Sequence, residues 1–228
     1  RLTGSLADAT IVFDLDGTLV DTAPDLLRAL NETLDLEGLP HPPLGQVKKM
    51  VGQGARALIE RAATLAGARF LPERLDQLTN AFIGFYRADI ASKSSVYAGV
   101  PEALTALAEA GAKLAVCTNK RTDLSVQLLE EVKLAHRFSA IVGADSVQDR
   151  KPHPDHFRAA VSRAGGSIRR AIMIGDSAAD VATAKGAGAP VIVVRFGYAD
   201  LAPEKLGADA LINRYDELPR LALSMLAA

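Results

Sequence analysis

The chain has little of what several classes of protein depend on. It holds one cysteine in 228 residues and no tryptophan, and its 26 basic and 27 acidic residues leave a net charge of −1. A single cysteine excludes an internal disulfide and favours a reducing cytoplasm. Balanced charge without a basic run argues against a nucleic acid or a membrane surface as partner.

Long apolar stretches are also missing. No run reaches the roughly 20 residues that a membrane-spanning helix needs, and the first residues do not have the pattern of a signal peptide. Hydrophobic residues nevertheless make up 49% of the chain and charged residues 23%, which is typical of a globular protein. These features predict a cytoplasmic protein without a membrane partner, and they leave monomer and homodimer equally open.

Short apolar segments alternate with helical patterns along most of the chain. Strand-like segments cover residues 11–13, 113–118, 171–175 and 190–194, with weaker ones at 141–143 and 210–212. Helical patterns between them cover residues 101–110, 123–134, 154–164 and 178–185. Because the strands are nearly continuous apolar runs without polar alternation, we expect them to be buried on both faces. The alternation predicts an α/β fold with an open, parallel, Rossmann-like sheet and helices on both of its faces.

One segment interrupts this alternation. It has helical patterns over residues 23–36, 46–66 and 72–90, and no convincing strand. We therefore expect a small all-helical cap domain, residues 21–94, inserted after the first strand and lying over the sheet edge as a lid. Residues 1–20 and 95–228 would form the α/β core.

The first strand runs into the most informative residues, Asp14-Leu15-Asp16-Gly17-Thr18. Two carboxylates that are two residues apart at a strand end point to the same side. In an open sheet this side faces the crevice in which ligands bind. Crowding the two charges costs energy unless a cation or a shared proton relieves it. The pair therefore predicts a bound metal, a phosphoryl group or both.

Polar residues follow three further strands. Thr118-Asn119-Lys120 comes after the second strong strand, Lys151-Pro152 after a weaker one, and Gly175-Asp176-Ser177 after the third strong strand, with Asp180 one helical turn further on. A parallel sheet brings all of these strand ends to one edge. Carboxylates, a hydroxyl and a lysine that converge there suit a metal-assisted phosphoryl transfer.

These segments also carry a resemblance. Asp-Leu-Asp-Gly-Thr-Leu-Val-Asp-Thr (14–22), Cys-Thr-Asn-Lys (117–120), Lys-Pro-His-Pro (151–154) and Gly-Asp-Ser-Ala-Ala-Asp (175–180) resemble the four ordered motifs of the haloacid dehalogenase-like superfamily. The helical insertion is similar to the small cap domain of that superfamily, so the likeness covers nearly the whole chain. Within the superfamily, Val51-Gly52-Gln53-Gly54 and Phe196-Gly197-Tyr198 are most similar to the phosphoglycolate phosphatase subgroup.

The resemblance implies a Mg²⁺-dependent hydrolase of a small phosphorylated metabolite that works through an aspartyl-phosphate. Asp14 would be the nucleophile, and Asp16 would protonate the leaving alkoxide and then accept a proton from water. Asp176 would bind Mg²⁺ together with the Asp14 carboxylate and the main-chain carbonyl of Asp16. Asp180 would act behind these ligands, either by steering a water molecule or by holding Lys151 in place.

The remaining implied roles are contacts with the substrate. The predicted set is Thr118, Asn119, Lys151, Gly52, Gly54 and Arg56. The Thr118 hydroxyl would bind a phosphate oxygen, and Lys151 would neutralise the phosphoryl group. In the cap, the glycines would form a flexible turn. We expect Arg56, which follows them, to bind a substrate carboxylate through its two-pronged guanidinium.

Other polar residues are predicted to have no direct role. We expect Lys120 to be solvated and Cys117 to be a buried structural thiol. The four histidines have no metal-ligand spacing with acids or cysteine. They are therefore expected to be structural or exposed; they are His41, His136, His153 and His156.

Several alternative functions use the same residues. A phosphosugar mutase similar to β-phosphoglucomutase, or a sugar-phosphate phosphatase, would keep the fold and the motifs. A dehalogenase would not need Asp16. A phospho-acceptor receiver domain also gathers acids, a hydroxyl and a lysine at one sheet edge, but it is shorter and lacks the helical insertion. A pure binding protein would have little use for both Asp14 and Asp16.

Overall fold

The computed structural model describes residues 5–199 and 201–226. Its central sheet has six parallel strands: β1 (Thr10–Phe13), β4 (Lys113–Cys117), β5 (Ala140–Val142), β6 (Ala171–Gly175), β7 (Val191–Val194) and β8 (Ala210–Ile212). The spatial order is β5-β4-β1-β6-β7-β8. Phe13, the last residue of β1, pairs with Val116 on one side and with Ile174 on the other. The carboxyl ends of the three middle strands therefore lie side by side.

Helices cover both faces of this sheet. Their bounds are α5 (Val100–Glu109), α6 (Thr122–Glu131), α7 (Pro154–Arg163), α8 (Ala178–Gly186) and α9 (Leu218–Leu226). Along β1, Phe13 belongs to the apolar cluster that contains Leu104 of α5, whereas Val12 belongs to the cluster that contains Phe157 of α7. Successive strand residues thus enter two different cores, which confirms the predicted α/β architecture. Each predicted strand agrees with the observed one to within a residue at either end.

The helical segment, residues 21–94, contains α1 (Ala23–Asp35), α2 (Leu44–Met50), α3 (Ala55–Leu65) and α4 (Pro72–Ala88). The prediction of one helix over residues 46–66 is wrong, because α2 ends at Met50 and α3 begins at Ala55. Gly52 and Gly54 have φ angles of +106° and +86°, which a right-handed helix cannot contain. The segment is joined to the sheet by a short antiparallel ribbon of β2 (Val20–Asp21) and β3 (Ser95–Val96). Its standing as a separate domain stays a prediction.

A buried acid fastens the two ends of the helical segment to each other. Asp25, in the first turn of α1, accepts hydrogen bonds from the Lys93 main-chain N–H (2.9 Å) and from the hydroxyls of Ser94 (2.6 Å) and Ser92 (3.2 Å). Its side chain is fully buried. The first turn of α1 and the segment that returns to the sheet, residues 92–94, are therefore held together. Within the described ranges, no helix is long and apolar enough to cross a membrane.

Candidate active site

The residues predicted to follow the strands meet at the carboxyl edge of the sheet. Asp14, Thr118 and Asp176 come directly after β1, β4 and β6, and the Asp14 N–H continues the ladder by donating to the Ile174 carbonyl (2.9 Å). Lys151 reaches the same place from the loop before α7. The exposed fraction of these four residues is 6% or less. The structure therefore gathers polar groups from four separate parts of the chain in one buried cluster.

Lys151 lies between two carboxylates at the base of this cluster. Its Nζ is 2.8 Å from Asp14 Oδ1 and 2.7 Å from Asp180 Oδ1. Burial lowers the pKa of Lys151, but the two carboxylates outweigh it and hold the pKa above its ordinary value. Behind it, the Lys151 N–H donates to Nδ1 of the buried His156 (3.1 Å). The lysine is thus a fixed positive charge beside the Asp14 carboxylate.

Three carboxylates cluster around the single positive charge of Lys151. Asp14, Asp176 and Asp180 each offer an oxygen, and these atoms lie within 4.8 Å of one another. Burial, followed by the nearby Asp180 charge, raises the pKa of Asp14 to about 7 and raises the pKa of Asp176 well above its ordinary value. Because a divalent cation relieves such crowding and Mg²⁺ prefers oxygen ligands, the donor set fits Mg²⁺.

Asp180 is already saturated within the protein. Its Oδ1 accepts from Lys151, and its Oδ2 accepts from the Asp176 N–H (3.1 Å), the Ser177 N–H (3.0 Å) and the Ser177 hydroxyl (2.7 Å). Ser177 in turn caps α8. These contacts suit a residue that positions Lys151 and Asp176, rather than one that binds the cation.

The structure corrects the expectation that Lys120 is solvated. Only 9% of Lys120 is exposed, and its Nζ donates to Asp16 Oδ1 (2.6 Å) and to the Tyr86 hydroxyl (2.9 Å). The Thr22 hydroxyl donates to the same Asp16 oxygen (2.6 Å). Asp16 Oδ1 is therefore bound by Lys120 and Thr22, whereas Lys151 bonds Asp14 and Asp180. No local pattern identifies this contact, because Lys120 and Asp16 are 104 residues apart in the chain and residues 119–120 form a bend after β4.

Two glycines leave room for Asp176. A Cβ atom on Gly17 would lie 2.5 Å from Asp176 Oδ2, and one on Gly197 would lie 2.1 Å from Asp176 Cβ. Next to them, the Tyr198 N–H donates to Asp176 Oδ2 (2.6 Å), while the Tyr198 hydroxyl contacts Asp21 and accepts from the Ala23 N–H (2.9 Å). Tyr198 thus links the acid to the start of the helical segment. The sequence pointed to Tyr198 only through the subgroup resemblance.

The helical segment closes one side of a cavity of about 370 Å³ above Asp14. The predicted site residues that line it are Asp14, Asp16, Gly52, Gly54, Arg56, Thr118 and Asn119. The Asn119 amide donates to the carbonyls of Gly52 (2.9 Å) and Lys151 (3.1 Å), so it joins the glycine turn to the lysine loop. Arg56 is half-exposed, and its guanidinium contacts Asp76 of α4.

The remaining polar residues lie where the sequence predicted. Cys117 is fully buried, and burial raises the pKa of its thiol. His156 is buried and hydrogen-bonded to main-chain groups, whereas the other three histidines are exposed. Thr118 is buried at the end of β4, and its oxygen accepts from the Lys120 N–H (3.1 Å).

Comparison with known proteins agrees with this geometry. A family model described as haloacid dehalogenase-like hydrolase matches residues 11–194. A phosphoglycolate phosphatase of Caulobacter vibrioides is 48% identical, over 98% of this chain and 94% of its own length. A phosphoglycolate phosphatase of Agrobacterium fabrum is 42% identical, over 91% of this chain and 89% of its own length.

Solved structures agree as well. A predicted phosphoglycolate phosphatase from Haemophilus somnus superposes with a TM-score of 0.88 at 29% identity, covering 95% of this chain and 98% of that one. CbbY from Rhodobacter sphaeroides, in complex with phosphate, gives a TM-score of 0.80 at 26% identity, covering 95% and 99%. The chain therefore belongs to the haloacid dehalogenase-like hydrolases. Within that family it is a phosphatase, which sets the receiver-domain alternative aside.

Proposed function

We propose that the chain hydrolyses 2-phosphoglycolate with the help of Mg²⁺, through a phosphoryl group carried transiently on Asp14. One observation carries the proposal. The Asp14 carboxylate lies at the base of the cavity with its Oδ1 fixed by the Leu15 N–H (2.7 Å) and by Lys151 (2.8 Å). The substrate follows from the relatives, since those from Caulobacter vibrioides and Agrobacterium fabrum are phosphoglycolate phosphatases.

The reaction divides into two displacements at phosphorus. An Asp14 oxygen attacks, the bond to the glycolate oxygen breaks, and Asp16 gives that oxygen its proton. Asp16 then takes a proton from water as the water oxygen attacks the phosphoryl group, which frees Asp14 and releases phosphate. Lys120 and Thr22 hold Asp16 at the cavity wall for both proton transfers. Lys151 offsets the charge beside Asp14 in each step.

Asp14, Asp176 and the main-chain carbonyl of Asp16 would hold the Mg²⁺ ion. When bound, the ion offsets the charge of the phosphate oxygens and of the clustered acids. Asp180 keeps Lys151 and Asp176 in place from behind. Thr118 and Asn119 then form the phosphate side of the cavity, in line with their burial at the end of β4.

Residues 21–94 act in this proposal as a cap domain that admits substrate and then excludes bulk water. Support comes from the short ribbon of β2 and β3, which joins the helical segment to the sheet, and from the Asp25 contacts that tie its ends together. The glycine turn at Gly52 and Gly54 faces the cavity.

A panel of phosphate esters tests the proposal. With Mg²⁺ present, phosphate release should be fastest from 2-phosphoglycolate, slower from glucose 6-phosphate and absent after EDTA is added. Preference for hexose phosphates would contradict the proposed substrate. Conversion of β-glucose 1-phosphate into glucose 6-phosphate without phosphate release would instead make the protein a mutase.

The Asp14→Asn variant tests the nucleophile. The amide cannot form the acyl phosphate, so kcat should fall by at least about 10³-fold. Asp8→Asn is the matched control, because Asp8 is exposed and undergoes the same chemical change. Acid-quenched wild-type enzyme should carry labelled phosphoryl from the substrate, and the Asp14→Asn variant should carry none. A variant that keeps full turnover would rule out covalent catalysis by Asp14.

A further inference from the structure

Four cationic side chains line the cavity: Arg56, Lys120, Arg121 and Arg150. Three of them already have a carboxylate partner. Arg56 contacts Asp76, Lys120 bonds Asp16, and Arg121 makes a two-pronged contact with Asp123. Their charges are therefore largely compensated before any substrate enters.

Arg150 differs from these three. Across residues 5–199 and 201–226, no carboxylate oxygen lies within 4.0 Å of its guanidinium, and the side chain is exposed at the rim of the cavity. It immediately precedes Lys151, so the same loop carries one cation to Asp14 and a second one to the rim. The loop thus places Lys151 against Asp14, whereas Arg150 lines the cavity itself and has no carboxylate partner among the described residues.

The Arg150 guanidinium faces the glycine turn of the helical segment. A Cβ atom on Gly54 would be 3.0 Å from Arg150 Nη1, so the guanidinium approaches the backbone closely only because Gly54 has no side chain. Gly54 also precedes α3, whose first main-chain N–H groups have no acceptor within the helix. The Asn119 bond to the Gly52 carbonyl holds this turn against the core. An anion at the rim would therefore meet Arg150 on one side and helix N–H groups on the other.

We propose that Arg150 binds the carboxylate of the substrate while the phosphoryl group lies at Asp14. The inference rests on the proposed function and names the residue that distinguishes phosphoglycolate from an uncharged phosphate ester. A guanidinium matches a carboxylate through two parallel hydrogen bonds. This role replaces the one that the sequence suggested for Arg56, whose guanidinium is engaged by Asp76.

The test compares two substrates and several variants. The substrates are 2-phosphoglycolate and 2-hydroxyethyl phosphate, which differ at the carboxylate. Arg150→Gln should lower kcat/KM for phosphoglycolate by about 30-fold, mainly through KM, because it removes charged hydrogen bonds. For hydroxyethyl phosphate the same variant should change kcat/KM by less than about twofold. Arg150→Lys should recover part of the loss, since it restores the charge but not the two-pronged geometry.

Arg121→Gln is the matched control. It removes a positive charge from the same cavity, but Asp123 already compensates that charge. It should leave the preference between the two substrates unchanged. A wild-type enzyme that does not prefer phosphoglycolate would overturn the proposed substrate and the carboxylate subsite together. If the wild type prefers phosphoglycolate and Arg150→Gln keeps that preference, only the assignment of Arg150 is wrong. Loss of the preference in Arg56→Gln alone would give the role to Arg56.

Discussion

Among individual residues, charge balance decides how the site works. Carboxylate oxygens of Asp14, Asp176 and Asp180 lie within 4.8 Å of one another. Lys151 forms ion pairs with the first and the last of these acids. Three carboxylates thus crowd around one lysine, and burial, together with this excess of acidic groups, raises the pKa of Asp14 and of Asp176. A buried excess of this kind is costly unless a cation joins it. We therefore expect this cluster to destabilise the native state in the absence of a cation and to become favourable once a cation binds.

His156 makes a pH-dependent contribution to stability. Burial, and next the Lys151 charge, lowers the pKa of His156 to about 4, against an ordinary value of 6.5. The native state keeps the ring neutral while the unfolded chain binds a proton, so the free energy of unfolding falls as the pH drops from about 6.5 to about 4. His156→Asn should remove up to about 3 kcal/mol of this dependence.

Urea unfolding at several pH values between 4 and 7 measures that effect as a difference in slope between wild type and variant. His153→Asn serves as control, because it makes the same replacement at a histidine that is exposed. Equal slopes for wild type and His156→Asn would show that the buried ring does not titrate differently in the two states.

Helices and strands differ in how well the sequence predicted them. Strand positions are predictable because β1 and its neighbours are apolar except at the first residue of β1 and of β4. The acids that follow them stand out because burial in a core would exclude charged side chains. The break between α2 and α3 depends on backbone angles at Gly52 and Gly54, which a hydrophobic pattern does not encode. Lys120 was mistaken for a surface residue because its partner Tyr86 lies on α4, in a part of the chain that only the tertiary fold brings near.

A methyl group added at Gly54, in the turn before α3, should affect both stability and substrate binding. Gly54→Ala places a Cβ 3.0 Å from Arg150 Nη1 and 3.4 Å from the Asn119 carbonyl oxygen, at a φ of +86°. Because its φ of 86° is combined with a ψ of 168°, a region nearly confined to glycine, the substitution should cost about 1–3 kcal/mol in backbone strain and also raise KM for phosphoglycolate. Gly67→Ala is the matched control, since Gly67 has a φ of +77° and open space around it.

Chemical unfolding and steady-state kinetics separate the two effects of that substitution. Both alanine variants should lose stability, but only Gly54→Ala should alter KM. A normal KM for Gly54→Ala would mean that the close approach of Arg150 to the turn has no part in substrate binding.

For the molecule as a whole, we expect the acidic cluster to couple Mg²⁺ binding to folding, since its three carboxylates meet only in the native state. If an ion binds only the native state and its free concentration is 100 times its Kd, the free energy of unfolding rises by about 2.7 kcal/mol. In a chain of this size that raises Tm by roughly 5–10 °C. Saturating Mg²⁺ should therefore raise Tm in a thermal scan, and EDTA should reverse the change.

Asp176→Asn should abolish this Mg²⁺-dependent shift, because it removes one of the carboxylates at the metal position. Asp155→Asn should keep it, as Asp155 is exposed, pairs with Arg158 and is not one of the three clustered carboxylates. An undiminished shift in Asp176→Asn would place the ion elsewhere.

The crowding of Gly197 against Asp176 limits how this protein can diverge. A side chain at position 197 would overlap the acid, whereas Gly45 has nothing within 4 Å of where its Cβ would lie. In a saturation library selected for phosphate release, position 197 should return glycine alone and position 45 a broad mixture of residues. Laboratory evolution toward new phosphate esters will therefore have to alter the rim of the cavity, while the backbone around Asp176 stays fixed.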